Sequence, residues 1–118
     1  MLKVSEPLRV RQGYNKVILL GRLSRSPELR RTPRGTAVCT FSLTVPSEQQ
    51  KSGGGEKAED LLVEVVVFGS LAEHCHASLD LDAPVLIEGS LVQRRWQGVG
   101  GISQSRYEII AQIVRSIE

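Results

Sequence analysis

Apolar residues occur along this chain in five blocks whose spacing is typical of β-strands. The first and third blocks are almost continuously apolar, whereas the second alternates strictly between apolar and polar positions, as in a strand with one buried face. The five predicted strands cover residues 14–23, 37–45, 60–69, 85–96 and 105–117. In the alternating strand, the set that includes Phe41 is predicted to face the core. Gly89, inside the fourth strand, predicts a bulge or a sharp bend.

Three polar segments between the strands predict loops. Residues 24–36 combine two prolines and a glycine with four arginines, which predicts a solvated and mobile loop. Residues 47–59 are hydrophilic around three consecutive glycines, which predicts a second flexible loop. Residues 97–103 are glycine-rich and predict a hairpin between the last two strands.

The segment 70–79 changes to a helical period. Its apolar residues recur every four positions, and residues 70–73 have the S-x-x-E spacing of a capping box. The apolar stripe consists of Leu71, Cys75 and Leu79. One short helix is therefore predicted between the third and fourth strands.

The order strand, strand, strand, helix, strand, strand predicts the fold. It is the chain order of the oligonucleotide/oligosaccharide-binding (OB) fold, a five-stranded, partly open Greek-key barrel. We therefore expect an all-β protein with one domain at residues 14–118, preceded by an extension at residues 1–13. A chain of 118 residues has no room for a second domain.

The net charge of +2 hides a segregation of the two signs. Residues 1–51 carry ten Lys or Arg against three Asp or Glu, residues 52–93 carry one against eight, and residues 94–118 carry four against two. A fold that brings the two ends together would present a basic face, which favours an anionic partner.

Composition argues against several other classes of protein. No stretch approaches the roughly 18 apolar residues that span a bilayer, and the first thirteen residues carry charges in place of a secretory apolar block. We therefore expect a soluble protein that is not exported and has no membrane partner. Cys39 and Cys75 are the only cysteines, and two isolated thiols of this kind are expected to be buried and unpaired.

Six segments resemble the bacterial single-stranded-DNA-binding proteins, a family that includes the related primosomal replication proteins. These segments are NKVILLGRL, SPELRRTPRGTAV, FSLTV, VVVFGSLAE, IEGSLVQRRW and RYEI, in the family's order. The resemblance implies a homotetrameric OB domain in the cytoplasm, associated with the nucleoid. Such a protein coats single-stranded DNA without strong sequence preference in replication, recombination and repair. The acidic C-terminal tail by which the family recruits other replication proteins has no counterpart here, so the chain is either shortened or lacks that function.

Binding any single strand requires flat aromatic surfaces for the bases and a basic groove for the phosphates. The resemblance implies that Phe68 and Trp96 stack on bases. Trp96 also follows Arg94 and Arg95 at the entry to a glycine loop, an exposed place for the only tryptophan. Tyr107 is a further candidate.

Basic side chains near the first long loop are the candidates for phosphate contacts. Guanidinium groups pair well with phosphate oxygens and also stack on bases, and five arginines fall within residues 22–34. The predicted set is Arg22, Arg25, Arg30, Arg31, Arg34, Arg94 and Arg95, with Lys16, Lys51 and Arg106 as additions.

Neither a cofactor nor an enzymatic activity is expected. His74, Cys75 and His76 are adjacent on the predicted helix, where neighbouring side chains point about 100° apart and cannot converge on one metal ion. No pair of carboxylates and no Ser/His/Asp set converges under the predicted topology. The sequence therefore favours a homo-oligomeric coat for single strands. The alternative is a primosome-type adaptor that mainly contacts other replication proteins and binds DNA weakly.

Overall fold

A computed structural model of the chain describes residues 12–47 and 59–117. Within these ranges it contains five strands and a short helix, in the predicted order. They are β1 (Val17–Arg31), β2 (Ala37–Val45), β3 (Leu61–Phe68), α1 (Ser70–Ser78), β4 (Pro84–Gln97) and β5 (Ser103–Ser116). A 3-10 turn, Val99–Gly101, forms the tip of the β4–β5 hairpin.

The strands close into a barrel in the order β1-β2-β3-β5-β4. Four of the five pairings are antiparallel. The remaining contact, between β3 and β5, is parallel and aligns Glu64 with Glu108 and Val66 with Ile110. This arrangement confirms the predicted OB-fold, since the helix between β3 and β4 lets the chain cross to the far side of the barrel before β5 returns beside β3.

Side chains from every strand fill the barrel interior. The alternation predicted for β2 is confirmed, because Cys39, Phe41 and Leu43 are fully buried. Val65 and Ile87 face them from β3 and β4. Burying a side chain of this size contributes about 1.5–3 kcal/mol. Phe41 is therefore a core residue, as predicted.

The prediction of a mobile loop at residues 24–36 is wrong over most of its length. β1 continues to Arg31 and pairs with β2, where Leu29 lies opposite Cys39 and Arg30 opposite Val38. Two register shifts between Leu23 and Glu28 accommodate the interruption around Pro27, which has no N–H for the ladder. A tight turn, closed by a hydrogen bond from the Thr32 N–H to the Thr36 carbonyl, then leads into β2.

The short helix is confirmed, but its predicted capping box is not. The N-cap is Gly69, and no side chain caps the helix. Gly69 has a φ of 74°, which suits a glycine and turns the chain sharply out of β3. Glu73 pairs with Arg31 on β1, so its carboxylate is engaged outside the helix. Cys75 lies in the core as the stripe predicted.

Gly89 marks a break in the register between β4 and β5, as predicted. The pairing shifts between Glu88 and Gly89. A Cβ on Gly89 would overlap the carbonyl oxygen of Ile110 and lie 2.8 Å from the Cα of Ala111. The strands therefore approach so closely here that only glycine fits without a backbone shift.

Two predicted segments fall largely outside the described residues. Only residues 12 and 13 of the predicted extension are described, and residues 48–58 of the second predicted loop are not, so Lys51 lies outside the description. In the described ranges, the nine-residue helix is far too short to cross a membrane.

Candidate nucleic-acid interface

One open cleft on the outer face of the barrel gathers basic side chains around an exposed aromatic ring. Its volume is about 290 Å³, and Arg30, Arg31, Arg94 and Arg106 line it together with Phe68. We call this the basic cleft. Three of these arginines and Phe68 come from the candidates that the sequence singled out in separate segments, and Arg106 was one of the additions.

Strand pairing explains why these residues meet. Side chains that lie opposite one another on neighbouring strands share a face of the sheet. Arg30 pairs with Val38, and Val38 pairs with Phe68, which forms one row across β1, β2 and β3. Arg94 pairs with Arg106 across the β4–β5 hairpin, which forms a second row.

Phe68 is the last residue of β3, and its ring faces the cleft. It is 42% exposed, although it ends a strand whose preceding residues, Val65 to Val67, are buried. Its neighbours on the cleft wall include Val38, Thr40 and Val66. A flat, partly apolar surface flanked by guanidinium groups offers a place for a nucleobase next to its phosphate.

Trp96 extends the same face along the β4–β5 hairpin. Its indole is 40% exposed, and the Arg106 guanidinium carbon lies 5.5 Å from the ring centroid. A cation over the face of an indole is a cation–π contact. One face of Trp96 is thus held by a residue of the basic cleft, so that the aromatic ring and the arginines form one continuous surface.

The cleft also contains a buried acid that the sequence analysis missed. Glu108 is only 3% exposed. Its Oε1 lies 3.0 Å from Arg94 Nε, and its Oε2 lies 3.0 Å from Arg106 Nη2. A signal was present in the sequence, since Glu108 follows Arg106 by two positions on a strand and so must share its face.

Charges in the cleft are only partly compensated. Arg94 and Arg106 share one carboxylate, and Arg31 pairs with Glu73 at 2.9 Å. Arg30 makes no ion pair with any residue in the described ranges and is exposed. The cleft therefore keeps a net positive charge, which suits phosphate oxygens.

The remaining predicted arginines and Lys16 do not line the cleft. Arg25 is bound by Glu64 at 2.6 Å, and Arg22 donates to the Asp82 carbonyl at 3.1 Å. Lys16 pairs with Glu88 at 3.1 Å, and this contact raises the pKa of Lys16. Arg34 lies exposed in the β1–β2 turn.

Arg95 and Tyr107 belong to the other face of the β4–β5 hairpin. Successive residues of a strand point to opposite faces, so Arg95 points away from the face that carries Arg94 and Trp96. Its guanidinium donates to Gln93 Oε1 at 3.2 Å, and Tyr107 pairs with Gln93. Arg95 nevertheless reaches the edge of the hairpin, where it lines an open depression of about 510 Å³ with Arg94, Trp96 and Arg106.

The helix residues that resemble metal ligands do not converge. Cys75 is 2% exposed, and burial raises its pKa to about 11, whereas His74 and His76 are exposed. Cys39 and Cys75 are both free and buried. Among the residues that the structure describes, no three His, Cys, Asp or Glu side chains are placed to hold an ion.

The fold and the cleft define a class: an OB-fold barrel whose outer face carries arginines interleaved with exposed aromatic rings, as nucleic-acid-binding OB domains do. Comparison with known proteins gives the family. Residues 14–117 match the model of the single-strand binding protein family. The chain belongs to this family.

Curated relatives agree with that assignment. A protein named single-stranded DNA-binding protein from Thermotoga maritima is 36% identical over 105 residues, which cover 89% of this chain and 74% of the relative. Proteins of the same name from Helicobacter hepaticus and Neisseria meningitidis serogroup A are 34% and 36% identical over 89% of this chain. The matches span 62% and 60% of those two relatives. These names do not favour the alternative of a primosome-type adaptor.

Proposed function

We propose that this protein binds single-stranded DNA without strong sequence preference, and that the basic cleft with Phe68 and Trp96 is the binding surface. One observation carries the proposal: arginines from three different strands converge on one side of the barrel beside two exposed aromatic rings. Guanidinium groups contact phosphates whatever the sequence, and aromatic rings stack on any base.

The exposed aromatic rings of this surface favour single strands over duplexes. Phe68 and Trp96 offer faces for unpaired bases, and the bases of a duplex are already stacked on one another. The protein acts by binding alone, with no chemical step, and serves DNA replication, recombination and repair. Because its proposed ligand is single-stranded DNA, we place it in the cytoplasm, at the nucleoid.

A titration of fluorescently labelled oligodeoxythymidine, followed by anisotropy, tests the proposal. Two to three phosphates neutralised per chain would lower affinity by roughly 7- to 20-fold between about 50 and 200 mM salt, since each contact on a single strand contributes about −0.7 to the logarithmic slope. Duplex DNA of the same length should compete poorly. Equal competition by duplex, or an affinity independent of salt, would contradict the assignment.

We further propose that the chain self-associates, as a homotetramer, through the outer face of β1, β4 and β5. Several large apolar side chains are exposed there: Ile18 at 56%, Leu20 at 52%, Ile117 at 41% and Ile113 at 37%. Ile18, Leu20 and Ile117 line one groove, and Ile113 lies beyond Glu88, which pairs with Lys16 at 3.1 Å. An exposed apolar patch bordered by charged residues, as these side chains form, is typical of a protein interface.

Light scattering measures the assembly directly. We expect a mass of four chains of 13.0 kDa each, and a shift to smaller species in an Ile18→Glu variant, because a charge in the patch opposes its burial. A monomeric native protein would refute the self-association. The DNA proposal would stand in that case, because the basic cleft lies within a single chain.

A further inference from the structure

Glu108 introduces a fixed negative charge into a surface that we assign to a polyanion. Its side chain is buried below the heads of Arg94 and Arg106, each of which lies 3.0 Å from one of its two oxygens. The two arginine side chains are 53% and 55% exposed, whereas the Glu108 side chain is 4% exposed. The arginines therefore reach a ligand, and the carboxylate does not.

Burial prevents the carboxylate from leaving when a strand arrives. An exposed acid can swing into water as a phosphate approaches, but Glu108 remains beside Arg94 and Arg106 whatever binds them. Its Oε1 accepts no hydrogen bond from the residues that the structure describes, although Arg94 Nε is only 3.0 Å away. The contact with Arg94 is therefore one of charge, and the arginine's N–H groups are free to turn towards another acceptor.

We propose that Glu108 is an internal counter-ion, which holds Arg94 and Arg106 at the cleft before DNA binds and then competes with the DNA phosphates for them. This inference rests on the proposed function of the cleft. Two guanidinium groups that share one fixed carboxylate act as a single net positive charge towards a strand. Glu108 thereby limits the electrostatic part of binding and leaves a larger share to stacking on Phe68 and Trp96.

A Glu108→Gln variant tests this proposal, since the amide has the same size and no charge. With labelled oligodeoxythymidine at several salt concentrations, the logarithmic salt dependence should become steeper by about 0.7, the value of one further phosphate contact on a single strand. Affinity at about 50 mM salt should rise about two- to fivefold, the effect of one partly exposed charge pair. The gain should shrink as salt increases.

Asp80→Asn is the matched control. It removes the same unit of charge from an exposed residue in the turn that follows α1, outside the basic cleft. We expect its salt dependence to equal that of the native protein. If the control matched the Glu108 variant, total charge alone would explain the effect and the counter-ion role would be overturned.

Two further results would overturn the inference. One is an unchanged salt dependence in Glu108→Gln. The other is weaker binding by a variant whose thermal unfolding remains cooperative, because Glu108 would then act only by holding the two arginines in place and would not compete with the DNA phosphates. If the amide variant did not fold, Glu108→Met would remove the charge while keeping a side chain of similar length. Its salt dependence would then be measured in the same way. Failure of the native protein to bind oligodeoxythymidine would refute the proposed function itself, whereas native binding with an unaltered slope in the variants would refute only this inference.

Discussion

A Trp96→Ala variant tests whether DNA binds on the face of the β4–β5 hairpin that adjoins the basic cleft. The structure places the indole beside the basic cleft, 40% exposed, with Arg106 over one face of its ring. Stacking of one base on an aromatic side chain contributes about 1–3 kcal/mol. If the base displaces Arg106 from the ring, the cation–π contact between Arg106 and Trp96, which contributes about 0.5–1 kcal/mol, is lost. We therefore expect Trp96→Ala to cost about 1–2 kcal/mol, or roughly 5- to 30-fold in affinity at 25 °C.

Tyr107→Ala is the matched control for this change. Tyr107 is more exposed than Trp96, at 62%, and lies only one strand away, but it is on the opposite face of the hairpin. The Tyr107→Ala substitution should therefore change the affinity for DNA by less than about twofold, which is no more than roughly 0.4 kcal/mol. Trp96→Phe, which keeps a ring in place, should recover most of the lost affinity because any aromatic face can stack on a base.

The assay is anisotropy of labelled oligodeoxythymidine at one fixed salt concentration, with light scattering to show that the assembly is unchanged. The reasoning fails if Trp96→Ala binds within twofold of the native protein. It also fails if Tyr107→Ala loses as much affinity as Trp96→Ala, because the two faces of the hairpin would then contribute equally.

Two further predictions concern the barrel itself. Gly89→Ala should lower the free energy of unfolding by about 1–3 kcal/mol, since the new Cβ meets the backbone of β5. In thermal unfolding followed by circular dichroism, Tm should fall by roughly 5–15 °C. Gly13→Ala, with nothing within 4 Å of its Cβ position, should be neutral, and an equal loss in both would contradict the packing argument. Cys39 and Cys75 should resist alkylation at neutral pH, because burial raises the pKa of both thiols and the thiolate is the reactive form. Since the pKa of Cys75 rises from 9.0 to about 11, its neutral thiol stabilises the fold fully below about pH 9, and that contribution should fade as pH increases towards 11. Rapid labelling of the native protein at pH 7 would refute the burial of these residues.

Local patterns in the sequence were sufficient for most of the elements. The strict alternation in residues 37–45 predicted both the bounds of β2 and its buried face, because a strand with one side in the core must repeat every two residues. The switch to a period of four predicted α1. Gly89 predicted the bulge. Each of these features depends on residues within a few positions of one another.

The loop prediction at residues 24–36 failed because the strand there is stabilised from outside the segment. Proline, glycine and arginine favour a loop when the segment is read alone, but β2 supplies backbone partners for Glu28 to Arg31, and two bulges accommodate the residues that break the pattern. The capping box failed for a related reason. The turn after β3 places Gly69 at the N-cap, and Arg31 from a distant strand engages the Glu73 carboxylate.

By itself, the sequence determined which residue types were available for binding: arginines near both ends of the chain, one tryptophan, and a phenylalanine at the end of an apolar strand. Only the tertiary structure decided which of them act together. Barrel closure places Arg30 on the same side as Arg94 and Arg106, and strand alternation places Tyr107 on the face of the hairpin opposite to Trp96. The tertiary structure also places Glu108 beneath Arg94 and Arg106. Such selection depends on register between strands far apart in the sequence, and register is set by the packing of the whole core.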